Sequence, residues 1–291
     1  MRLKRLIQKK TKKFIIKKLS NDFSTLFQAY NLSKKKYCEI PYVKLKFKKS
    51  SNLAKKNETI YLKIDGQILP KILATGDYDT FLYNFLKTKK LKNICFIDIG
   101  ANHGFISKQI SNLPYIKKII TFEPFTPIYK LLELNLKKIN NIHNFNFGLS
   151  KKNQNLSFYE NPSNSGDLSL INNKQRTLKH ICKFKNYNQI MKNIMNGTKN
   201  MNFIIKTDCQ GYDVELFNDL NLNFLKKTKI YFLECNKIQD NQKDIFFKKI
   251  NFFKRIFISC PLIHKNIKKI GSKDLLTYLD YKVEFDLILV N

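Results

Sequence analysis

Arginine is almost missing from this 291-residue chain. It occurs only at Arg2, Arg5, Arg176 and Arg255, so lysine supplies nearly all of the 54 basic side chains. Bidentate grips on phosphate or guanine favour arginine, so the scarcity argues against a surface built mainly to hold nucleic acid. Acids are scarce too: 22 Asp and Glu leave a formal net charge of +32. No apolar run approaches the ~18 residues of a membrane-spanning helix. Near the N-terminus the longest such run is Phe14-Ile15-Ile16, too short for the apolar segment of a signal peptide. Six cysteines stand at 38, 95, 182, 209, 235 and 260, with no CxxC pair. That spacing argues against structural zinc and against a disulfide framework, and it predicts reduced thiols in a cytoplasmic protein.

What is present is enough for a packed core, since 43% of residues are hydrophobic. The basic charge is uneven. Residues 1–56 hold 18 Lys and Arg against Asp22 and Glu39. Leu3, Leu6, Ile7 and Phe14 fall on one side of a predicted basic helix over residues 1–19. Two readings stay open: a composition rich in lysine and asparagine with the helix packed on the domain by its apolar stripe, or an arm over residues 1–20 that rests on an anionic partner such as a membrane surface, an acidic glycan or RNA.

Further along, Glu58–Ile64 alternates like a strand and Asp65-Gly66 reads as a hairpin turn. Tyr78–Leu86 is predicted helical. From there strands and helices alternate. Strands are expected over 93–99, 118–122, 143–149, 201–207, 230–233, 253–260 and 282–290. Helices are expected over 104–113, 212–220 and 237–250, with another opening at Thr126-Pro127. The polar stretch around Asn161–Gly166 reads as a long surface loop. This pattern predicts a mostly parallel sheet covered on both faces, in a domain over residues 78–291, with residues 1–77 as a basic extension.

Phe96-Ile-Asp-Ile-Gly-Ala-Asn-His-Gly-Phe105 is the segment richest in chemistry. An acid ends a first strand, and a small-residue loop lets a ligand approach the backbone. Glu123, at the end of the second strand, can accept both hydroxyls of a ribose. These features allow a nicotinamide dinucleotide or S-adenosylmethionine (SAM). The loop lacks the GxGxxG spacing of a pyrophosphate site, and Asp98 is a poor neighbour for pyrophosphate but suits an ammonium. SAM is therefore favoured.

Asp98-Ile-Gly-Ala-Asn-His-Gly104 resembles the DxGANxG loop of FkbM-type methyltransferases. Phe122-Glu123-Pro124, Gly148-Leu149-Ser150, Lys206-Thr-Asp-Cys-Gln-Gly211, Phe232-Leu-Glu234 and Phe285–Val290 match that family's other motifs in order, over about residues 78–290. The resemblance implies a Rossmann-like class I methyltransferase fold with seven strands, the last antiparallel. It also implies SAM as cofactor and O-methylation of a hydroxyl on a sugar, glycan or other small metabolite. Asp98 and the Gly100, Ala101, Asn102 and Gly104 backbone then hold the methionine half. Glu123 holds the ribose, while Phe122 and Leu149 face the adenine. Asp208 lies near the sulfonium and the acceptor, or alternatively caps the next helix. Asp208, His103 and Glu234 are the candidate bases. Two carboxylates are weak grounds for a metal, and none is expected. His143, His180 and His264 read as structural or surface residues.

Gln210 stands where many members carry Glu, and Tyr187-Asn-Gln-Ile190 stands where a Leu-Asp-Asp-Leu is common. Two other functions compete: ribose 2′-O-methylation of RNA, suggested by the charge, and a non-catalytic module that keeps the fold. The basic arm is open to direct test. Deleting residues 1–20 is expected to abolish binding to anionic vesicles; undiminished binding assigns the charge to composition alone.

Overall fold

The computed structural model describes residues 27–30, 40, 42–161, 164–235, 238–260, 267–280 and 284–291. The predicted helix and arm over residues 1–20, together with Cys38 and His264, lie outside them.

The chain first builds an antiparallel sheet from β1 (Phe27–Tyr30), β2 (Tyr42–Phe47) and β3 (Thr59–Lys63). The predicted hairpin turn at Asp65-Gly66 is instead the start of helix α1 (Ile68–Thr75). Asp65 Oδ1 accepts the N–H groups of Gln67, Ile68 and Leu69 at 3.0, 2.8 and 3.2 Å. An Asp-Gly pair reads equally as a turn or as the approach to a helix, and here the buried stripe Ile68, Leu69, Ile72 and Leu73 decides for helix. This stripe packs with Val43, Leu45, Ile60 and Leu62 of the hairpin and with Phe105.

After α2 (Phe81–Lys87) the alternating pattern begins: β4 (Ile94–Ile99), α3 (Phe105–Ile110), β5 (Ile116–Phe122), α4 (Thr126–Leu136) and β6 (Ile142–Phe145). The expected strand over 143–149 is in fact two. Its second part, β7 (Gly148–Ser150), turns away and joins β8 (Gln154–Asn161), β9 (Asn164–Ser169) and β10 (Leu178–Asn186). These four form a separate sheet in the order β7-β10-β8-β9 where a long loop was expected. Its apolar residues are sparse and its polar ones many, so the alternation is weak in sequence. Phe158, Leu168, Cys182 and Phe184 nevertheless bury one face against Phe125, Ile128 and Leu131 of the α4 region.

The remainder runs α5 (Tyr187–Gly197), β11 (Asn202–Thr207), α6 (Asp213–Asp219), α7 (Leu222–Lys227), β12 (Thr228–Cys235), α8 (Asp240–Ile250), β13 (Arg255–Ser259), β14 (Lys268–Ile270), α9 (Asp274–Asp280) and β15 (Phe285–Val290). The main sheet has the order β14-β13-β15-β12-β11-β4-β5-β6. β6, β5, β4, β11 and β12 are mutually parallel, and β15 inserts antiparallel between β12 and β13. This is a Rossmann-like α/β fold with a mostly parallel central sheet and an antiparallel C-terminal strand. The short edge strand β14 adds an eighth member to the seven expected.

Period-two alternation sends side chains to two cores. Ile97, Ile205, Tyr231 and Leu287 face Phe217, Phe224 and Phe246 on one side. Phe96, Ile204, Phe232 and Ile288 face Leu82, Phe85, Ile106 and Ile110 on the other. The order of β4 and β11 reverses the direction in which the sheet is wound. The crevice beyond the strand ends therefore opens there.

Candidate functional site

On the face covered by α2 and α3, the apolar row Phe96, Ile204, Phe232 and Ile288 gives way at the sheet edge to a charged row. Two residues on, the same face presents Asp98, Lys206, Glu234 and Asp286. Strand register sets Asp98 beside Lys206 and Glu234 beside Asp286.

Asp98 has no exposed surface. Its Oδ2 accepts the Ser107 hydroxyl at 2.7 Å, and its Oδ1 lies 3.6 Å from Lys206 Nζ. Lys206 Nζ also donates to Asp208 Oδ2 at 3.2 Å. Burial opposes the charge on Lys206, but the carboxylates of Asp208 and Asp98 outweigh it and hold the ammonium protonated. Burial pushes the Asp98 carboxyl up, with Lys206 opposing. Asp98 thus stands behind Lys206 and Ser107, not on the wall of the crevice.

The loop after β4 is tightly closed. Gly100 has φ +77°, and a Cβ there would stand 2.0 Å from the Asp208 carbonyl oxygen. Gly100 and Ala101 N–H donate to the Phe122 carbonyl at 3.0 and 3.1 Å, and Gly104 N–H to the Ala101 carbonyl at 2.8 Å. Asn102 N–H donates to Glu123 Oε2 at 2.9 Å, and His103 N–H to Asn102 Oδ1 at 2.8 Å. All five loop amides are therefore engaged within the protein. Asn102 Nδ2 reaches the Ser165 carbonyl at 2.6 Å and ties the loop to β9. Gly104 packs against Leu132 and Leu136, away from the crevice.

Glu123 is buried, and its Oε1 accepts the Phe125 N–H at 2.9 Å. Burial pushes its carboxyl up to about 7, against the two N–H groups that favour the charge. His103 is also buried. Its Nε2 accepts the Lys63 N–H at 2.9 Å, its ring stacks on Phe105, and burial pulls its pKa down. The lone pair expected of a base is thus already engaged with β3.

The turn after β11 carries the remaining polar groups. Asp213 caps it, accepting Cys209 N–H on Oδ1 at 2.8 Å and Gly211 N–H on Oδ2 at 3.2 Å. Helix α6 has no side-chain cap at its N-terminus, and the Asp208 carboxylate, the alternative cap, is held instead by Lys206 and Gln210, half-buried at the crevice. Gln210, at φ +52°, donates from Nε2 to Asp208 Oδ1 at 2.9 Å and to Glu234 Oε1 at 3.2 Å. Burial first, then Asp208 and Asp213, pushes the Glu234 carboxyl well up. Asp286 is pushed up to about 7 by burial, then by Asp79 and Asp208.

These elements enclose a cavity of about 350 Å³. Its wall includes the predicted Gly100, Ala101, Asn102, His103, Phe122, Glu123, Leu149, Asp208 and Glu234. It also includes residues without a predicted role: Lys206, Gln210, Phe158, Leu168 and Phe184, and from the N-terminal region Gln67, Lys71 and Tyr78. Lys206 had a signal, a lysine in an otherwise apolar strand. Gln210 had one too, its place in the Lys206–Gly211 motif; the others had none, because their segments meet the cavity only through tertiary packing. Among the described residues no group of three or more His, Cys, Asp or Glu side chains is arranged to hold a metal ion. Among them, too, no helix is long and apolar enough to cross a membrane.

No protein-family model matches the chain, and no curated protein matches it by sequence. Among solved structures it is similar to a precorrin-6y C5,15-methyltransferase of Geobacter metallireducens, with a TM-score of 0.35 and 13% identity over 72% of this chain and 86% of that one. It is also similar to an O-methyltransferase of Bacillus cereus solved with SAH, with a TM-score of 0.38 and 12% identity over 77% and 89%. A third is the fibrillarin pre-rRNA processing protein of Methanococcus jannaschii, with a TM-score of 0.38 and 10% identity over 91% and 97%.

The Asp98–Lys206 pairing makes a stability prediction. Lys206→Met leaves a buried carboxylate without its counter-charge, at a cost of about 3–5 kcal/mol. Without Lys206, the raised pKa of Asp98 makes the folded state bind a proton that the unfolded state releases above about pH 4. The loss should therefore grow as pH rises. Urea unfolding at pH 5 and pH 8 is expected to show the larger deficit at pH 8.

Proposed function

We propose that this chain is a SAM-dependent methyltransferase of the FkbM type that methylates a hydroxyl of a sugar, glycan or other small metabolite. The observation that carries the reading is Glu123. It is a buried carboxylate at the carboxyl end of β5, on the wall of a 350 Å³ cavity beside the closed Gly100–Gly104 loop. Its two oxygens hold one N–H each and keep lone pairs for the two hydroxyls of a ribose. Phe122, Leu149, Phe158 and Phe184 supply apolar wall for a flat base. The residues present therefore fit SAM. Bound there, SAM supplies an electrophilic methyl group on a sulfonium.

The protein's own part is alignment, exclusion of water and removal of one proton. Asp208 is the carboxylate best placed to take the proton lost by an acceptor hydroxyl. Lys206 and Gln210 each hold one of its oxygens and so fix its direction. Glu234, with its carboxyl pushed well up, serves better as a hydrogen-bonding neighbour than as a proton acceptor. His103 shapes the loop. The +32 charge favours one second reading, ribose 2′-O-methylation of RNA. The carboxylates of Asp208 and Glu284 on the cavity wall oppose a polyanion there.

Transfer of labelled methyl from SAM to cell-envelope glycans or small metabolites, and not to total RNA, is the expected outcome. Labelling of RNA alone reverses the choice, and labelling of nothing refutes catalysis on these acceptors. Asp208→Asn is expected to lower kcat roughly 100-fold while changing SAH affinity less than threefold. Calorimetry should show SAH binding strengthening from pH 6 to pH 8. The ionised Glu123 accepts two hydroxyls, whereas the protonated form must give up part of that capacity. Glu123→Ala is expected to weaken SAH roughly 100-fold and to remove this pH dependence.

A further inference from the structure

The geometry points to Lys71, on helix α1 of the N-terminal region, as the residue that recognises the carboxylate of the cofactor's amino-acid tail. This rests on the reading of the cavity as a SAM site. The tail carries an ammonium and a carboxylate, and a carboxylate taken into a cavity needs a cation or free N–H donors. The loop expected to supply donors has none to offer, because Gly100, Ala101, Asn102, His103 and Gly104 N–H are all engaged within the protein. Two cationic side chains reach the cavity wall among the described residues, Lys206 and Lys71. Lys206 is held between Asp98 and Asp208, where an incoming carboxylate meets two like charges.

Lys71, exposed at the rim of the cavity, makes no ion pair among the described residues. Its Nζ lies 5.2 Å from the centroid of the Tyr78 ring, a face-on contact that leaves the ammonium's donors for a ligand. Tyr78 forms part of the same wall and stands edge-on to Phe105 at 5.7 Å, at the start of the helix that follows the glycine loop. Gln67 adds an amide one turn before Lys71. The helix is itself fixed. Asp65 caps it, and the Asp65 carboxylate also receives the Ser165 hydroxyl, which joins α1 to β9. With the ribose on Glu123 and the methyl turned toward Asp208, the Lys71, Tyr78 and Gln67 wall is left for the tail. The N-terminal region is then a working part of the cofactor site.

The test compares SAH with 5′-methylthioadenosine, which has the same nucleoside and sulfur but no amino-acid tail. Both are titrated calorimetrically into the full chain and into Lys71→Met and Lys71→Arg. Lys71→Met is expected to weaken SAH about tenfold or more and to leave 5′-methylthioadenosine within about twofold, with Lys71→Arg recovering most of the loss. SAH affinity unchanged in Lys71→Met overturns the assignment, and so does an equal loss for both ligands. Wild-type protein that binds neither ligand overturns the SAM reading itself. That failure is distinct, because it precedes any effect of the substitution.

Discussion

A buried ion pair at the edge of a parallel sheet is the constraint around which this site is organised. Asp98 and Lys206 are register partners on adjacent central strands, and both lie almost wholly inside the protein. The Asp98 charge is not tolerable there without Lys206, and Lys206 is in turn held by Asp208 and Asp98 together. Together they anchor the two loops that leave β4 and β11. Ser107 ties Asp98 to the helix after the first loop, and Asp208 ties Lys206 to the turn after the second. The loops are in contact as well: at Gly100 the backbone of one comes so close to the Asp208 carbonyl of the other that no side chain fits between them.

Around this centre, three separate pieces of chain complete the cavity. The parallel sheet supplies the acids and the loop. The small sheet β7–β10 supplies apolar wall through Phe158, Leu168 and Phe184. The N-terminal region supplies β3, whose Lys63 amide holds His103, and α1, which carries Lys71. Lys63 also pairs with Glu160 of β8 inside the protein, and Glu160 meets His180 of β10 at 2.8 Å. The two outer pieces are thus joined to each other as well as to the sheet.

The electrostatics of the cavity run against those of the whole chain. Formal charge is +32, yet the wall gathers Glu123, Asp208, Glu234 and Glu284 with Lys206 and Lys71 as its cations. Burial first, and then the neighbouring carboxylates, raises several of them, Glu123 and Glu234 among them, so that part of the cluster carries protons near neutral pH. The lysine-rich surface and the acidic cavity therefore do different work, and the composition of the first says little about the chemistry of the second.

Much of the fold is written locally. Isoleucine-rich runs that end in an acid, Thr126-Pro127 before an apolar stripe, and the alternation of Phe285–Val290 each reflect short-range rules, so the central strands, helices α2, α3, α4, α6 and α8, the glycine loop and the place of Glu123 at a strand end were legible, whereas helices α5, α7 and α9 were not. The small sheet was not. Its strands are polar, and only the packing of Phe158 and Phe184 on α4 gives them a reason to pair. Asp65 illustrates the same limit: its sequence neighbours suit a turn or a cap, and the burial of Ile68 and Ile72 chooses the cap. By itself the sequence determined which side chains end the central strands, because strand periodicity is a local property. Tertiary structure alone decided that Asp98 turns inward to Lys206, that His103 is held by β3, and that Lys71 reaches the same cavity as Glu123. Those outcomes depend on strand register and on which distant surfaces bury one another, and neither is encoded in any single stretch of chain.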